Sequence, residues 1–397
     1  MKPVISSDIV SLSQNDPELT LFESQYVTPD GMSYNSYLIR DEHIAILDTS
    51  DARTLEAWKT DLKSALAGRT PDYLVVHHLE PDHSAGIADV VALYPNITIV
   101  CSAKAAQMMP LFQSSSSSRF NVQIVKEGDV LCLGKHTLHF YMAPMVHWPE
   151  VMMSYDETDR VLFSADAFGK FGVMEAEPDD WACEARRYYF NICGKYGAPV
   201  SAVLRKLGSL DIQTICPLHG PVLNDGKAGE VGYNSLSDAL RLYGIWSQYG
   251  VEAEGVFIAY ASIHGCTAEA AQKLKEILLQ KGCKKVSIMD ICRSDIAEAV
   301  EDAFKYGRIV LAASSYDAGL FPPMYDLLHH LQIKGWQGRK VAVVENGSWA
   351  PSAGKTMIAM LCEMKDIEVR GELVTLRGRM KQTDIPALEA LADAILA

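Results

Sequence analysis

Tyr73-Leu74-Val75-Val76-His77-His78-Leu79-Glu80-Pro81-Asp82-His83 joins four apolar, β-favouring residues to a segment carrying three imidazoles and two carboxylates. The apolar run reads as a buried strand and the polar segment as the loop at its carboxyl end. Strand side chains alternate between faces whereas loop side chains can converge. The run His78, Glu80, Asp82, His83 can therefore aim four donors at one or two cations. The competing reading is a polar loop whose histidines hydrogen-bond locally. That reading leaves Glu80 and Asp82 as neighbouring like charges, which repel unless a cation or a proton lies between them. Imidazole and carboxylate without thiolate suit iron, manganese or zinc. His77 precedes the run on the strand, should face the opposite side, and reads as structural.

Further donors should arrive from distant strand ends beside turns. Three answer that description: His147 in Met145-Val146-His147-Trp148-Pro149, Asp166 in Ser164-Ala165-Asp166-Ala167-Phe168-Gly169, and His219 in Cys216-Pro217-Leu218-His219-Gly220. Each follows a short apolar run and sits beside Gly or Pro. Seven donors are too many for one four-coordinate zinc and suit two metals sharing a carboxylate. Trp148 and Phe168 beside these loops either wall the site or pack the core.

Around this strand the pattern alternates. Tyr34 to Arg40 and His43 to Asp48 read as a hairpin, Leu55 to Ala67 and Ala85 to Leu93 as helices. Such units continue to about Leu223 and imply a sandwich of two sheets with helices outside, carrying its site on loops. The serine run Ser114–Ser118 reads as an exposed loop. Leu236, Leu240, Tyr243 and Trp246 mark an amphipathic helix ending near Gly250. A chain of 397 residues exceeds the size of one growing core. The expected domains are residues 1–250 and 251–397.

The second half holds near-continuous apolar runs at 254–260, 285–289, 308–313 and 340–344, the mark of parallel strands covered on both faces. Helical patterns lie between them, and a fifth strand near 368–376 precedes a last helix from about Pro386. This is a flavodoxin-like doubly wound arrangement of five βα units, which binds ligands at the carboxyl ends of its strands. Three loops occupy that edge. Ser262-Ile263-His264-Gly265-Cys266-Thr267 precedes a helix and suits a phosphate. Ser314-Ser315-Tyr316-Asp317-Ala318-Gly319 and Asn346-Gly347-Ser348-Trp349 would flank a planar ring, with Tyr316 and Trp349 as stacking faces. Together they point to flavin mononucleotide, FMN. A dinucleotide fits less well because no Gly-x-Gly-x-x-Gly follows the first strand. His264, His329 and His330 read as local hydrogen-bonding residues.

Bulk properties narrow the partners. A net charge of -14 argues against nucleic acid and against anionic membrane surfaces. No run approaches the roughly eighteen apolar residues of a membrane span. The N-terminus lacks a signal-peptide core, so a cytoplasmic location is expected. The nine cysteines form no Cys-x-x-Cys pair, which argues against a disulfide framework, a fused rubredoxin-type iron site and a ferredoxin cluster. Electrons would have to come from another molecule.

These motifs, in this order along essentially the whole chain, resemble the flavodiiron proteins, also called A-type flavoproteins. The resemblance implies a metallo-β-lactamase-like αββα domain followed by a short-chain flavodoxin-like domain, mixed α/β and α+β in class. It implies that His78, Glu80 and His147 bind one iron, that Asp82, His83 and His219 bind the other, and that Asp166 bridges them, with no catalytic residues beyond these ligands. Zinc hydrolases sharing the first domain place His where Glu80 stands, and the carboxylate makes a harder, more anionic site suited to ferric iron. The interval from Asp166 to His219 (219 − 166 = 53) is slightly short for the family, as a trimmed loop would make it. The implied activity is reduction of dioxygen to water, of nitric oxide to nitrous oxide, or both. The implied donor is a separate rubredoxin, a reduced deazaflavin or a flavin reductase. The implied assembly is a head-to-tail homodimer or a dimer of dimers. Two rivals are a zinc hydrolase fused to a flavodoxin docking module, and an electron carrier whose metal site is vestigial.

Overall fold

The strand Tyr73–Val76 pairs in parallel with Ile44–Leu47 on one side and Thr98–Ser102 on the other. In the computed structural model, which describes residues 5–112, 120–174, 181–225 and 236–397, it is an inner strand of a six-stranded sheet. The sheet runs in the order Ile9–Ser11, Tyr37–Arg40, Ile44–Leu47, Tyr73–Val76, Thr98–Ser102, Asn121–Val125. The hairpin pairs Tyr37 with Leu47 and Arg40 with Ile44. The serine run Ser114–Ser118 lies outside the described residues.

A second six-stranded sheet contains Val130–Cys132, Thr137–Met142, Met152–Asp156, Val161–Phe163, Thr214–Cys216 and Leu223–Asn224 in that order. The two sheets face each other: Ile39, Leu47, Val75 and Val100 of the first share one buried core with Leu138, Phe140, Met152 and Phe163 of the second. On the outer face of the first sheet, Trp58, Leu62 and Leu66 repeat every four residues along the helix Leu55–Leu66 and pack with Ile87 and Val90. Helices outside two facing sheets make the αββα sandwich of a metallo-β-lactamase-like domain. Its chain folds as one compact unit, Met1–Gly244.

One local difference bears on the site. Asp82 and His83 stand in a helical turn, Pro81–Ser84, rather than in open loop. Glu80 is extended and Pro81 takes the first helical position, where its fixed φ and missing N–H favour helix initiation. A second helix, Ile87–Leu93, follows Gly86, where a Cβ would come within 2.8 Å of Leu55 Cδ1.

The second unit, Ile245–Ala397, is built on a parallel sheet ordered Val286–Asp290, Ala253–Ala261, Tyr306–Tyr316, Lys340–Asn346 and then a fifth strand. In chain order this is 2-1-3-4-5, the flavodoxin-like winding, with its switch point between the first and third strands. The fifth strand differs from expectation. It is split into Glu368–Val369 and Val374–Leu376, both pairing with Lys340–Asn346. Gly371 between them has φ +74, and a Cβ there would come within 3.0 Å of Leu391 Cδ1, so the chain leaves the sheet over the last helix, Ile385–Leu396. The third strand also returns, Ser315 pairing antiparallel with Leu320.

Candidate functional site

Strand register explains how the seven donors of the first unit meet. Val161–Phe163 and Thr214–Cys216 are parallel with Phe163 opposite Cys216, so Asp166 and His219, each three residues beyond its strand, leave from the same sheet edge. His147 lies in the connection between the antiparallel strands Thr137–Met142 and Met152–Asp156. Ala165 and Phe168 hold left-handed backbone, φ 51 and 68, on either side of Asp166. Left-handed non-glycine residues are costly and cluster where surrounding packing holds a functional side chain.

The donors gather in two groups: His78, Glu80, His147 and Asp166 in one, Asp82, His83 and His219 in the other, each with ligand atoms within 4.8 Å of one another. Asp166 faces both. Its Oδ2 lies 2.9 Å from His147 Nε2 and 3.3 Å from His78 Nε2, while its Oδ1 lies 3.2 Å from His83 Nε2 and 3.7 Å from His219 Nε2. Glu80 Oε2 is 3.2 Å from His78 Nε2 and 3.1 Å from His147 Nε2. His83 Nε2 and His219 Nε2 approach to 3.0 Å.

Hydrogen bonds on the far sides of the rings decide what these nitrogens present. His219 Nδ1 donates to the carbonyl of Ser33 at 2.7 Å, and His78 Nδ1 donates to Glu150 Oε1 at 2.7 Å. A neutral ring so held directs its Nε2 lone pair inward, against the carboxylates. Both oxygens of Asp82 and the Oδ1 of Asp166 are buried without a hydrogen-bond donor. Lone pairs crowded on lone pairs call for protons or for cations. The donor set therefore fits two metal ions.

Without metal, protons take that place. Burial disfavours the His147 imidazolium, but hydrogen bonds to Asp166 and Glu80 overcome it and carry the ring up to about 9. Asp166 moves the other way: burial raises it, yet the charges of His78 and His83 hold it well below the carboxylate range. His147, raised above its ordinary value of 6.5, contributes stability that is fully present below pH 6.5 and lost as pH rises towards 9. The melting temperature of metal-free protein should accordingly fall between pH 6.5 and 9, and metal loading should flatten the fall. A thermal melt series that is level across that window in the metal-free protein contradicts the proton-for-metal exchange.

Glu150 was missed in the sequence. It is buried, takes a second hydrogen bond from the Leu79 N–H at 3.0 Å, and orients His78 as carboxylates orient metal-bound imidazoles. A carboxylate three residues after His147 is its only sequence signal. His77 turns away from the donors: its ring bonds Asp48 and Ser154 and stacks on Phe163. Trp148 sets its ring edge-on to His78 at 5.2 Å and walls the site, whereas Phe168 is buried against Tyr243 as packing. Phe22 and Tyr188, also missed, close on His219 at 5.4 and 5.6 Å.

In the second unit the three predicted loops line one cavity of about 530 Å³ at the carboxyl ends of the strands. Gly265, at φ +87, caps the helix Cys266–Gln280, and its N–H donates to Ser262 Oγ at 3.1 Å. Thr267 and Ser314 hydroxyls bond each other at 3.0 Å. Trp349 is 89% exposed and Tyr316 47% exposed, which leaves two aromatic faces on the cavity. Gly265 and Gly319 are not among its lining residues, while Gly378, unanticipated, is. Asn346 brings Gly378 in through two hydrogen bonds of 2.9 Å. Phosphate-seeking N–H groups at a helix start, hydroxyls and two aromatic faces fit FMN.

Comparisons with known proteins agree with both halves. Residues 32–220 match the family model described as "ODP family beta lactamase". The anaerobic nitric oxide reductase flavorubredoxin of Escherichia coli is 27% identical over 364 residues, covering 89% of this chain and 74% of that one. Diflavin flavoproteins also match, and the chain spans about half their length. Among solved structures, rubredoxin oxygen:oxidoreductase from Desulfovibrio gigas superposes with TM-score 0.89 at 23% identity, over 100% of this chain and 98% of the other. The flavodiiron protein from Giardia intestinalis superposes with TM-score 0.88 at 22% identity, over 99% and 96%. With this sequence pattern in its first unit and these relatives, the chain is similar to the flavodiiron proteins, whose fold it shares.

Proposed function

We propose that the protein is a diiron flavoprotein oxidoreductase that reduces dioxygen to water, nitric oxide to nitrous oxide, or both. The observation that carries this reading is Asp166, whose two oxygens face two separate donor groups, one of which includes a second carboxylate, Glu80. His78, Glu80 and His147 would hold one iron, Asp82, His83 and His219 the other, with Asp166 shared. When bound, paired ferrous ions and a reduced flavin supply the electrons that a small oxidant takes up. Glu150 and Ser33 hold His78 and His219 in the tautomer that presents Nε2 inward. Trp148, Phe22 and Tyr188 shield the donors with aromatic surface.

FMN would lie in the cavity of the second unit with its phosphate at Ser262–Thr267 and its ring between Tyr316 and Trp349. Trp349→Ala is expected to weaken FMN binding about 3- to 10-fold, the worth of one aromatic contact. Flavin fluorescence titration reads this, and an unchanged affinity rules out the stacking role. The electron donor is an external protein or cofactor, with rubredoxin, a reduced deazaflavin and a flavin reductase as candidates. Among the described residues no helix is long and apolar enough to cross a membrane. We also propose the head-to-tail pairing of two copies; sedimentation of a fully active monomer overturns it. Elemental and flavin analysis tests the core reading: two iron and one FMN per chain support it. Two zinc without iron, together with thioester or lactone hydrolysis, overturn it.

A further inference from the structure

Opposite the proposed diiron edge, the second sheet carries another group of ligand-type side chains. The strand Val161–Phe163 runs from Asp159 at its start towards Asp166 beyond its end, so Asp159 belongs to the other edge. There the turn before Thr137–Met142 brings His136 beside Asp156, last residue of Met152–Asp156, in a register that sets Leu138 opposite Asp156. The Thr158 hydroxyl donates to the Lys135 carbonyl at 2.8 Å and ties the two turns together. His136, Asp156 and Asp159 each offer one ligand atom within 4.8 Å of the others.

Charge and hydrogen bonding around this group do not balance. His136 and Asp156 are wholly buried. Asp156 Oδ2 accepts from the Asp159 N–H at 2.9 Å and lies 3.0 Å from His136 Nδ1. Asp156 Oδ1 and Asp159 Oδ2 are buried with no donor at all. Two more carboxylates stand close: Asp8 Oδ2 is 3.4 Å from His136 Nε2, and Asp41 Oδ2 accepts the His136 N–H at 2.6 Å. The ammonium facing them, Lys135, is engaged with Asp8 at 2.7 Å. A proton on His136 offsets one charge but supplies nothing to the two orphaned oxygens. A cation held by one ligand atom from each of His136, Asp156 and Asp159 would supply the missing positive charge.

We propose that His136, Asp156 and Asp159 form a second divalent-cation site, structural in role and separate from the seven-donor cluster. One imidazole and two carboxylates suit a first-row ion such as manganese or zinc. Bound there, the ion cross-links neighbouring turns at the edge of the second sheet, next to the chain segment through Asp8 that enters the first sheet at Ile9.

Manganese(II) titration of the holoprotein, already loaded with iron and FMN, tests this by loss of the free-ion electron paramagnetic resonance signal. The site should take up one ion per chain. Asp159→Asn, at a half-buried turn, should weaken that uptake at least about tenfold while iron and FMN content stay constant. His136→Gln should do the same if it folds, and Asp159→Asn decides if it does not. No manganese uptake by the holoprotein, meaning that an imidazolium is all the cluster holds, overturns the proposal, as does uptake undiminished in Asp159→Asn.

Discussion

Asp166→Ala should lower turnover of dioxygen or nitric oxide by at least about 100-fold, because it removes the carboxylate whose two oxygens face both donor groups. Asp166 is wholly buried, and its neighbours include His78, His83, His147 and His219. Deleting the carboxylate leaves each donor group one anionic ligand short, so cations would be held more weakly. Iron should fall from two per chain to below one, whereas FMN, bound in the other unit, should be retained. That split separates the diiron reading from a flavin-only electron carrier, for which oxidant reduction survives the substitution. Asp82→Ala serves as an independent check, since Asp82 belongs to one group alone. Normal turnover in either variant sinks the diiron assignment.

Glu150→Ala should weaken iron retention about 10- to 100-fold although Glu150 is not proposed as a ligand. The substitution leaves His78 Nδ1 and the Leu79 N–H without their acceptor inside a closed core. A buried donor deprived of its partner costs about 1 to 3 kcal/mol. Freed of the carboxylate, the ring can rotate or exchange tautomers and withdraw its lone pair from the site. The measurement is the rate of iron loss to a chelator, compared between the variant and the unaltered protein at matched folding by circular dichroism. Equal rates would mean that Glu150 only fills space.

The candidate site was legible in the chain to different depths. Four of the seven donors stand in one run after an apolar strand, and the other three each follow a short apolar run near Gly or Pro, which is a local signal. That they divide into two groups around Asp166 depends on Val161–Phe163 lying in register with Thr214–Cys216, and register between distant segments leaves no local trace. Glu150 acts on a residue 72 positions away, so only the closed sandwich reveals it. The flavin loops were readable because a doubly wound sheet fixes the edge at which ligands bind. Gly378 was not, because it reaches the cavity from beyond the split fifth strand, and that split follows from Gly371 packing over the last helix. Asp82 and His83 were read as loop because a four-residue helical turn is too short to show periodicity.

The most direct test mixes reduced holoprotein with dioxygen and, separately, with nitric oxide in a stopped-flow instrument, following flavin absorbance with and without iron. If the iron pair is the site of oxidant reduction, at least one gas should oxidise the iron-loaded protein far faster than the iron-free protein carrying the same FMN. Equal rates with and without iron, for both gases, would contradict it.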